Sequence, residues 1–175
     1  RCSMKWQMPD STALSYLGHI DTLRKSFEDA EGKFQRGLYF NKIHYKCMVG
    51  LFDTMMEQKR HADAYGVVKR ISQYFPANPQ RLTQVLKLAI LTKSYDDVEG
   101  YYHAFKAIDE RNDEMVRYVC AALVVCGKYY LQRGIKSRAV DLFQGAAVSG
   151  ANAPRILREI IQTLHEFNMG KQAGE

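Results

Sequence analysis

Five histidines and four cysteines are the residues of this 175-residue chain best suited to binding a metal. The nearest pairing is His44 with Cys47, at i and i+3, which offers two ligands where a zinc site needs three or four. The chain has no pair of helical histidines with an intervening glutamate. The sequence therefore predicts no metal site and no cofactor.

Two short motifs invite a catalytic interpretation. Asp96-Asp97 could act as an acid and base pair, but it lies in a polar turn, where carboxylates stabilise the N-terminus of the following helix. Gly127-Lys128 lacks the leading glycine and the following hydroxyl of a phosphate-binding loop. The sequence thus predicts a protein without enzymatic activity.

The cysteines, at positions 2, 47, 120 and 126, show no disulfide pattern, and three of them stand among apolar helical residues, which indicates reduced, buried thiols. No apolar run reaches the roughly 18 residues needed to span a bilayer. The N-terminal residues do not resemble a signal peptide. We therefore expect a cytoplasmic location and no membrane partner.

The chain is 46% apolar and carries a formal net charge of +6, with its lysines and arginines spread along its length. The composition predicts one folded domain with a proper core. The positive charge favours acidic partners in general. Nucleic-acid binding is the alternative function, but the lack of a basic block makes it the weaker one.

One short theme recurs four times, and the small apolar residue that closes it falls at Ala30, Ala64, Val98 and Ala139. The first two steps are 34 residues and the third is 34 plus 7. A fixed period of this length predicts stacked helical hairpins, because a single hairpin cannot bury its own apolar face. A protein of this kind holds a partner more readily than it converts a substrate.

Strand signals are missing, and apolar residues recur at helical spacing. Proline after a capping residue predicts helix starts near Pro79 and Pro154. The predicted helices span 12–24, 27–40, 46–58, 61–74, 80–92, 95–108, 113–132, 136–148 and 154–167. The seven inserted residues, 113–119, either lengthen the seventh helix by two turns or belong to a longer loop through 109–114.

The four repeating helical hairpins resemble the tetratricopeptide repeat. The fourth unit is the most similar, with Leu123, Cys126, Gly127, Tyr130, Ala139, Phe143, Ala146 and Ala151 at the pattern positions. The resemblance implies an all-α, right-handed superhelical solenoid of four repeats, at 11–44, 45–78, 79–112 and 120–153. An N-terminal extension at 1–10, a capping helix at 154–168 and a flexible tail at 169–175 complete the predicted organisation.

The resemblance also implies that the first helix of each repeat lines a concave groove. On that basis the partner-binding residues are Lys46, Asp53, Gln80, Thr83, Lys87 and Lys128. Lys87 and Lys128 occupy the same repeat position and either bind the partner or are ordinary surface charges. Asparagine, typical of family members that clamp a carboxylate, is replaced at this position by Asp53, Lys87 and Lys128.

The resulting functional prediction is a non-catalytic adaptor, scaffold or regulatory module that binds an acidic protein or peptide segment, with self-association as a further option. A weaker resemblance, carried by the junction at 75–82, is to the helical-repeat halves of bacterial receiver-domain signalling proteins.

Overall fold

The computed structural model describes residues 10–76, 78–107, 113–150 and 154–172, with side chains described as far as Asn168. Regular structure in these ranges is wholly α-helical. The helices are α1 (Ser11–Leu23), α2 (Phe27–Phe40), α3 (Tyr45–Glu57), α4 (His61–Tyr74), α5 (Pro79–Leu91), α6 (Tyr95–Lys106), α7 (Asp113–Gln132), α8 (Lys136–Ser149) and α9 (Pro154–Gln172). The all-α prediction is confirmed, and the predicted ends of the first eight helices are correct to within two residues.

The helices group into two compact units, Arg1–Pro76 and Ala77–Glu175, although the sequence predicts one domain. The first unit holds the hairpins α1–α2 and α3–α4. The second holds α5–α6 and α7–α8, with α9 packed on α7 and α8. The division coincides with the two prolines, Pro76 and Pro79, which prevent α4 from continuing into α5.

Each hairpin turns through the same three-residue connection. In the first, Ser26 N–H donates to the Asp21 carbonyl (2.9 Å) and Lys25 N–H to the Thr22 carbonyl (3.0 Å), the two hydrogen bonds of a Schellman motif. The motif needs one residue with positive φ, and Lys25, Lys59, Lys93 and Gly134 supply it, with φ of 62°, 59°, 59° and 78°. Their spacing of 34, 34 and 41 residues repeats the period of the sequence.

Small residues mark the places where the two helices of a hairpin cross. A Cβ built at Gly18 would lie 2.7 Å from Phe34, and one built at Gly127 would lie 2.5 Å from Phe143. Neither glycine can therefore be replaced without moving a buried ring. The small residues of the second helices, Ala30, Ala64, Val98 and Ala139, are fully buried.

The inserted seven residues lengthen a helix. The 20-residue α7 begins at Asp113, so residues 113 and 114 are helical and the longer-loop alternative is wrong for them; residues 109–112 lie outside the described ranges. Seven residues make almost two complete turns of an α-helix, so the apolar face of α7 keeps its direction along the added length.

The buried stripe of α9 leaves two of its large apolar residues exposed. Ile156, Ile160 and Thr163 are 7–8% exposed, whereas Ile161 is 66% and Leu164 is 37% exposed. A step of four residues leads from Ile156 to Ile160, and a further step of three leads to Thr163. These residues lie on one face, so the helix turns Ile161 away from α7 and α8. The hydroxyl of Thr163 donates to the Glu159 carbonyl (2.7 Å), which satisfies it in this buried position.

Candidate binding groove

An open cleft of about 560 Å³, lined mostly by polar residues, lies between α5 and α7 in the second compact unit. One wall is α5 from its N-cap Asn78 to Lys87, and the other is the first two turns of α7. The lining residues are Asn78, Pro79, Gln80, Thr83, Gln84, Lys87, Glu114, Met115 and Tyr118. Because Glu114, Met115 and Tyr118 belong to the inserted segment, the insertion builds one side of this cleft.

A smaller apolar recess of about 190 Å³ adjoins the cleft further along the same two helices. Lys87 and Tyr118 line both cavities, so the cleft and the recess form one continuous α5–α7 groove. The remaining lining of the recess is aliphatic: Leu86, Ile90, Leu91, Ala121, Ala122 and Val125. The groove therefore offers polar contacts at one end and a pocket for an apolar side chain at the other.

The local sequence fixes the α5 wall. The side chain of Asn78 accepts from Arg81 N–H (3.2 Å) and caps the helix, and Pro79 occupies its first turn. The guanidinium of Arg81, only 9% exposed, donates to the Gln84 side chain (2.6 Å). These contacts hold the polar end of the groove in place before any partner arrives.

Two side chains of opposite charge are unpaired in the groove. Lys87 and Glu114 are both exposed, and neither has a hydrogen-bond or ion-pair partner among the described residues. Glu114 lines only the polar cleft, and Lys87 lies where the cleft meets the recess. A ligand that crosses the groove therefore meets a negative charge first and a positive charge beside the apolar pocket.

The structure brings together three of the six predicted partner-binding residues, Gln80, Thr83 and Lys87. Lys128, in the same unit, lines neither cavity and donates to Glu159 of α9 (3.0 Å). In the first unit, the ammonium of Lys46 donates to the Tyr16 hydroxyl (3.1 Å), and Asp53 is exposed on α3. The partner-binding role of all six stays a prediction.

The partner-binding residues predicted from the sequence did not include Glu114, Met115 and Tyr118. The sequence does carry a signal for them, since a seven-residue insertion at the start of a groove-lining helix adds two turns to the groove wall. Their placement opposite Gln80 and Thr83 depends on how α7 is staggered along α5, which the repeat pattern does not give.

The other groups with possible chemistry have structural partners. Asp96 accepts hydrogen bonds from the Tyr130 hydroxyl (2.5 Å) and from Arg138 (3.1 Å), which ties α6 to α7 and α8. The side chain of His44 caps α3 by accepting from Cys47 N–H (3.3 Å). Within the described ranges no cluster of three or more His, Cys, Asp or Glu residues could hold a metal ion.

The described cysteines are free and buried, as predicted; Cys2 lies outside the described residues. Burial raises the pKa of Cys47 and of Cys120 to about 11, and that of Cys126 to about 12. A thiol with such a pKa stays protonated near neutral pH and is a poor nucleophile. In the part of the chain that the structure describes, no helix combines the length and apolarity needed to cross a bilayer.

No family model and no curated protein matches the sequence of this chain, but several solved structures are similar to it. The crystal structure of MamA protein aligns with a TM-score of 0.61 at 13% identity, over 93% of this chain and 85% of that one. MamA AMB-1 gives a TM-score of 0.58 at 14% identity, over 85% and 78% of the two chains. A tetratricopeptide repeat protein from Parabacteroides merdae ATCC 43184 gives 0.44 at 16% identity, over 89% and 58%.

The comparisons give no support to the predicted resemblance to bacterial receiver-domain signalling proteins. The chain has the all-α, tetratricopeptide-type helical-repeat fold.

Proposed function

We propose that this protein is a non-catalytic protein–protein interaction module, an adaptor, scaffold or regulatory domain, that binds a partner segment in the α5–α7 groove. The observation that carries the proposal is the junction at Lys87, where an unpaired ammonium lies beside an apolar recess. A helical-repeat fold is consistent with adaptor function. Within the described residues, the histidines, cysteines and paired carboxylates have structural roles or do not form a metal or catalytic site. A cytoplasmic location stays a prediction from the sequence.

The groove specifies the chemistry of the partner. A recess of about 190 Å³ takes one apolar side chain of moderate size, since an apolar cavity of about 150 Å³ in another protein holds benzene. The position of Lys87 beside the recess places an acidic residue of the partner next to that apolar residue. The partner segment therefore contains an adjacent pair of one acidic and one apolar side chain.

Glu114 fixes the direction in which the segment binds. Along α7, Glu114 and Ala121 of the recess are separated by about 10 Å, from a rise of about 1.5 Å per residue. An extended segment covers that distance in about three residues. A basic or amide side chain about three residues from the acidic and apolar pair would thus reach Glu114.

The individual contacts are modest. An exposed lysine contact contributes at most about 1 kcal/mol, and burial of one aliphatic side chain contributes about 2 kcal/mol. Together they supply about 3 kcal/mol, and association also costs rotational and translational freedom, so these two contacts alone correspond to a dissociation constant in the millimolar range or weaker.

The test is selection of bound sequences from a library of random peptides with the intact protein as bait. The expected enrichment is an acidic residue next to an aliphatic or aromatic one. In the Lys87→Glu variant the acidic preference should become a basic one, because the charge at the junction is reversed. Lys136→Glu is the matched control, since Lys136 is an exposed lysine on α8 and its reversal changes the net charge by the same amount.

The control also separates the alternative function. If the protein binds nucleic acid through its general positive charge, an oligonucleotide should bind with strong salt dependence and both variants should weaken it equally. A library that yields no acidic and apolar pair, or yields the same sequences with Lys87→Glu, would contradict the proposed groove.

A further inference from the structure

Two stacks of an arginine on a tyrosine lie side by side in the second compact unit. In one, the guanidinium of Arg138 lies over the ring of Tyr130, 4.5 Å from the ring centre. In the other, the guanidinium of Arg133 lies over the ring of Tyr129, 4.4 Å from the ring centre. The two rings are in edge contact, with their centres 5.3 Å apart. The stacks have the same geometry and can be compared by what else each arginine binds.

The Arg138 stack binds two carboxylates. The guanidinium nitrogens of Arg138 lie 3.1 Å from a carboxylate oxygen of Asp96 and 3.1 Å from one of Glu99. A guanidinium that lies flat on an aromatic ring keeps the N–H donors at its edge available, and carboxylate oxygens accept them. The second unit thus shows, with its own residues, which chemistry this arrangement recognises.

The Arg133 stack holds no carboxylate. Arg133 is exposed, and apart from its contact with Tyr129 its side chain has no hydrogen bond or ion pair to any residue that the structure describes. The neighbouring carboxylates of Asp96 and Glu99 are bound by Arg138 instead. The five N–H donors of the Arg133 guanidinium therefore face water.

The ring beneath Arg133 is held in place by its neighbours. Tyr129 contacts Tyr95, the first residue of α6, with ring centres 4.2 Å apart, and both residues are half-buried. A guanidinium on a fixed ring loses less conformational freedom when a ligand binds than a freely moving arginine does. The orientation of Arg133 is thus set before any ligand arrives.

This stack continues the α5–α7 groove. Val125 lines the apolar recess, and Tyr129 lies one helical turn further along α7, on the same face. On the opposite wall, Leu91 lines the recess at the end of α5 and is 53% exposed. Arg133 therefore stands beyond the recess, at the other end of the groove from Glu114.

We propose that Arg133, stacked on Tyr129, binds an acidic side chain of the partner segment at this end of the groove. The position of the contact rests on the proposed function, and the carboxylate chemistry rests on the comparison with Arg138. From Val125 to Arg133 the chain advances eight residues, about 12 Å along a helix, which an extended segment covers in about four residues. The partner segment therefore carries a second acidic residue about four positions beyond its apolar one, on the side away from Glu114.

Titration with sodium acetate tests the carboxylate chemistry without the groove. The readout is the Nε–Hε signal of each arginine in the isotope-labelled intact protein, with sodium chloride at the same concentrations as the reference. The Arg133 signal should shift and saturate with acetate, whereas Arg138 should shift little because it already binds two carboxylates. Arg158 is the matched control, since it is exposed on α9 and has no stacked ring or ion pair in the ranges that the structure describes. Equal shifts of Arg133 and Arg158 would overturn the proposal.

Selection from a library of peptides with amidated C-termini tests the position, because every carboxylate then belongs to a side chain. The intact protein should enrich a second acidic residue about four positions after the apolar one. Arg133→Gln should remove that preference and weaken the selected peptide about fivefold, while the acidic and apolar pair stays. Tyr129→Leu should weaken it about twofold or more, and Tyr129→Phe, which keeps the ring, should not. Arg158→Gln removes the same charge from α9 and should leave binding unchanged.

The two measurements separate this site from the groove. A pair selected without a second acidic residue, or a second acidic preference that persists in Arg133→Gln, would overturn the proposal and leave the groove intact. A saturable acetate shift at Arg133 without an acidic and apolar pair in the library would refute the groove and the position of this contact, and would retain Arg133 as a carboxylate site.

Discussion

Replacement of Gly127 by alanine tests the packing on which the repeat hairpins depend. The added Cβ would lie 2.5 Å from Cε1 of Phe143 and 2.8 Å from two further ring carbons. Carbon atoms pack best at about 3.5–4.0 Å, and Phe143, at 4% exposed, has little room to withdraw. Alanine should nevertheless gain up to about 1 kcal/mol in helix propensity over glycine.

Overpacking of a core costs about 1–3 kcal/mol, so after the gain in helix propensity Gly127→Ala should lower the free energy of unfolding by up to about 2 kcal/mol. Gly100→Ala is the matched control in the same compact unit, because nothing lies within 4 Å of its added Cβ. It should raise the free energy of unfolding by up to about 1 kcal/mol.

The assay is urea unfolding of the intact protein followed by far-ultraviolet circular dichroism, with the midpoint of the second unit compared between variants. A second exchange, Phe143→Leu, should recover part of the loss in the Gly127→Ala background, because it removes the atoms that clash. If Gly127→Ala is as stable as Gly100→Ala, the close crossing of α7 and α8 is not as the structure has it.

The turns, thiols and inter-helix hydrogen bonds give three further predictions, each checked by urea unfolding. Lys59→Gly should raise the free energy of unfolding by about 0.5–1 kcal/mol, and Gly134→Ala should lower it by about 1 kcal/mol, because both positions need positive φ; equal effects would contradict the turn geometry. Folding raises the pKa of Cys126 from 9.0 to about 12, so the unfolded state loses its proton first and stability should fall above about pH 9, less steeply in Cys126→Ala. Tyr130→Phe should cost about 1 kcal/mol, since it removes a 2.5 Å hydrogen bond to the largely exposed Asp96; an unchanged midpoint would argue against that bond.

Much of the fold could be predicted because the repeat depends on local features. Apolar spacing, the prolines at 79 and 154 and the recurrent small residues determine where each helix begins and which face it buries. The inserted segment could also be placed, since seven residues keep a helical face in phase.

The contacts that could not be predicted from the sequence depend on packing between repeats. Gly50 makes room for Phe34 of the neighbouring hairpin, and it stands at no position of the repeat pattern. Lys128 matches Lys87 in sequence, but α9 brings Glu159 to it and leaves Lys87 unpaired. The stagger of one helix along the next decides such contacts, and it arises from side-chain shape and not from periodicity.

The most direct test of the central claim is to map where a selected acidic and apolar peptide binds, by backbone amide chemical shifts of the isotope-labelled protein. The proposed groove predicts that the largest shifts fall in 78–91 of α5 and 114–125 of α7, and that Lys87→Glu removes them while Lys136→Glu does not. Shifts concentrated in α6 and α8, or shifts that persist in Lys87→Glu, would contradict the claim that the α5–α7 groove binds the partner.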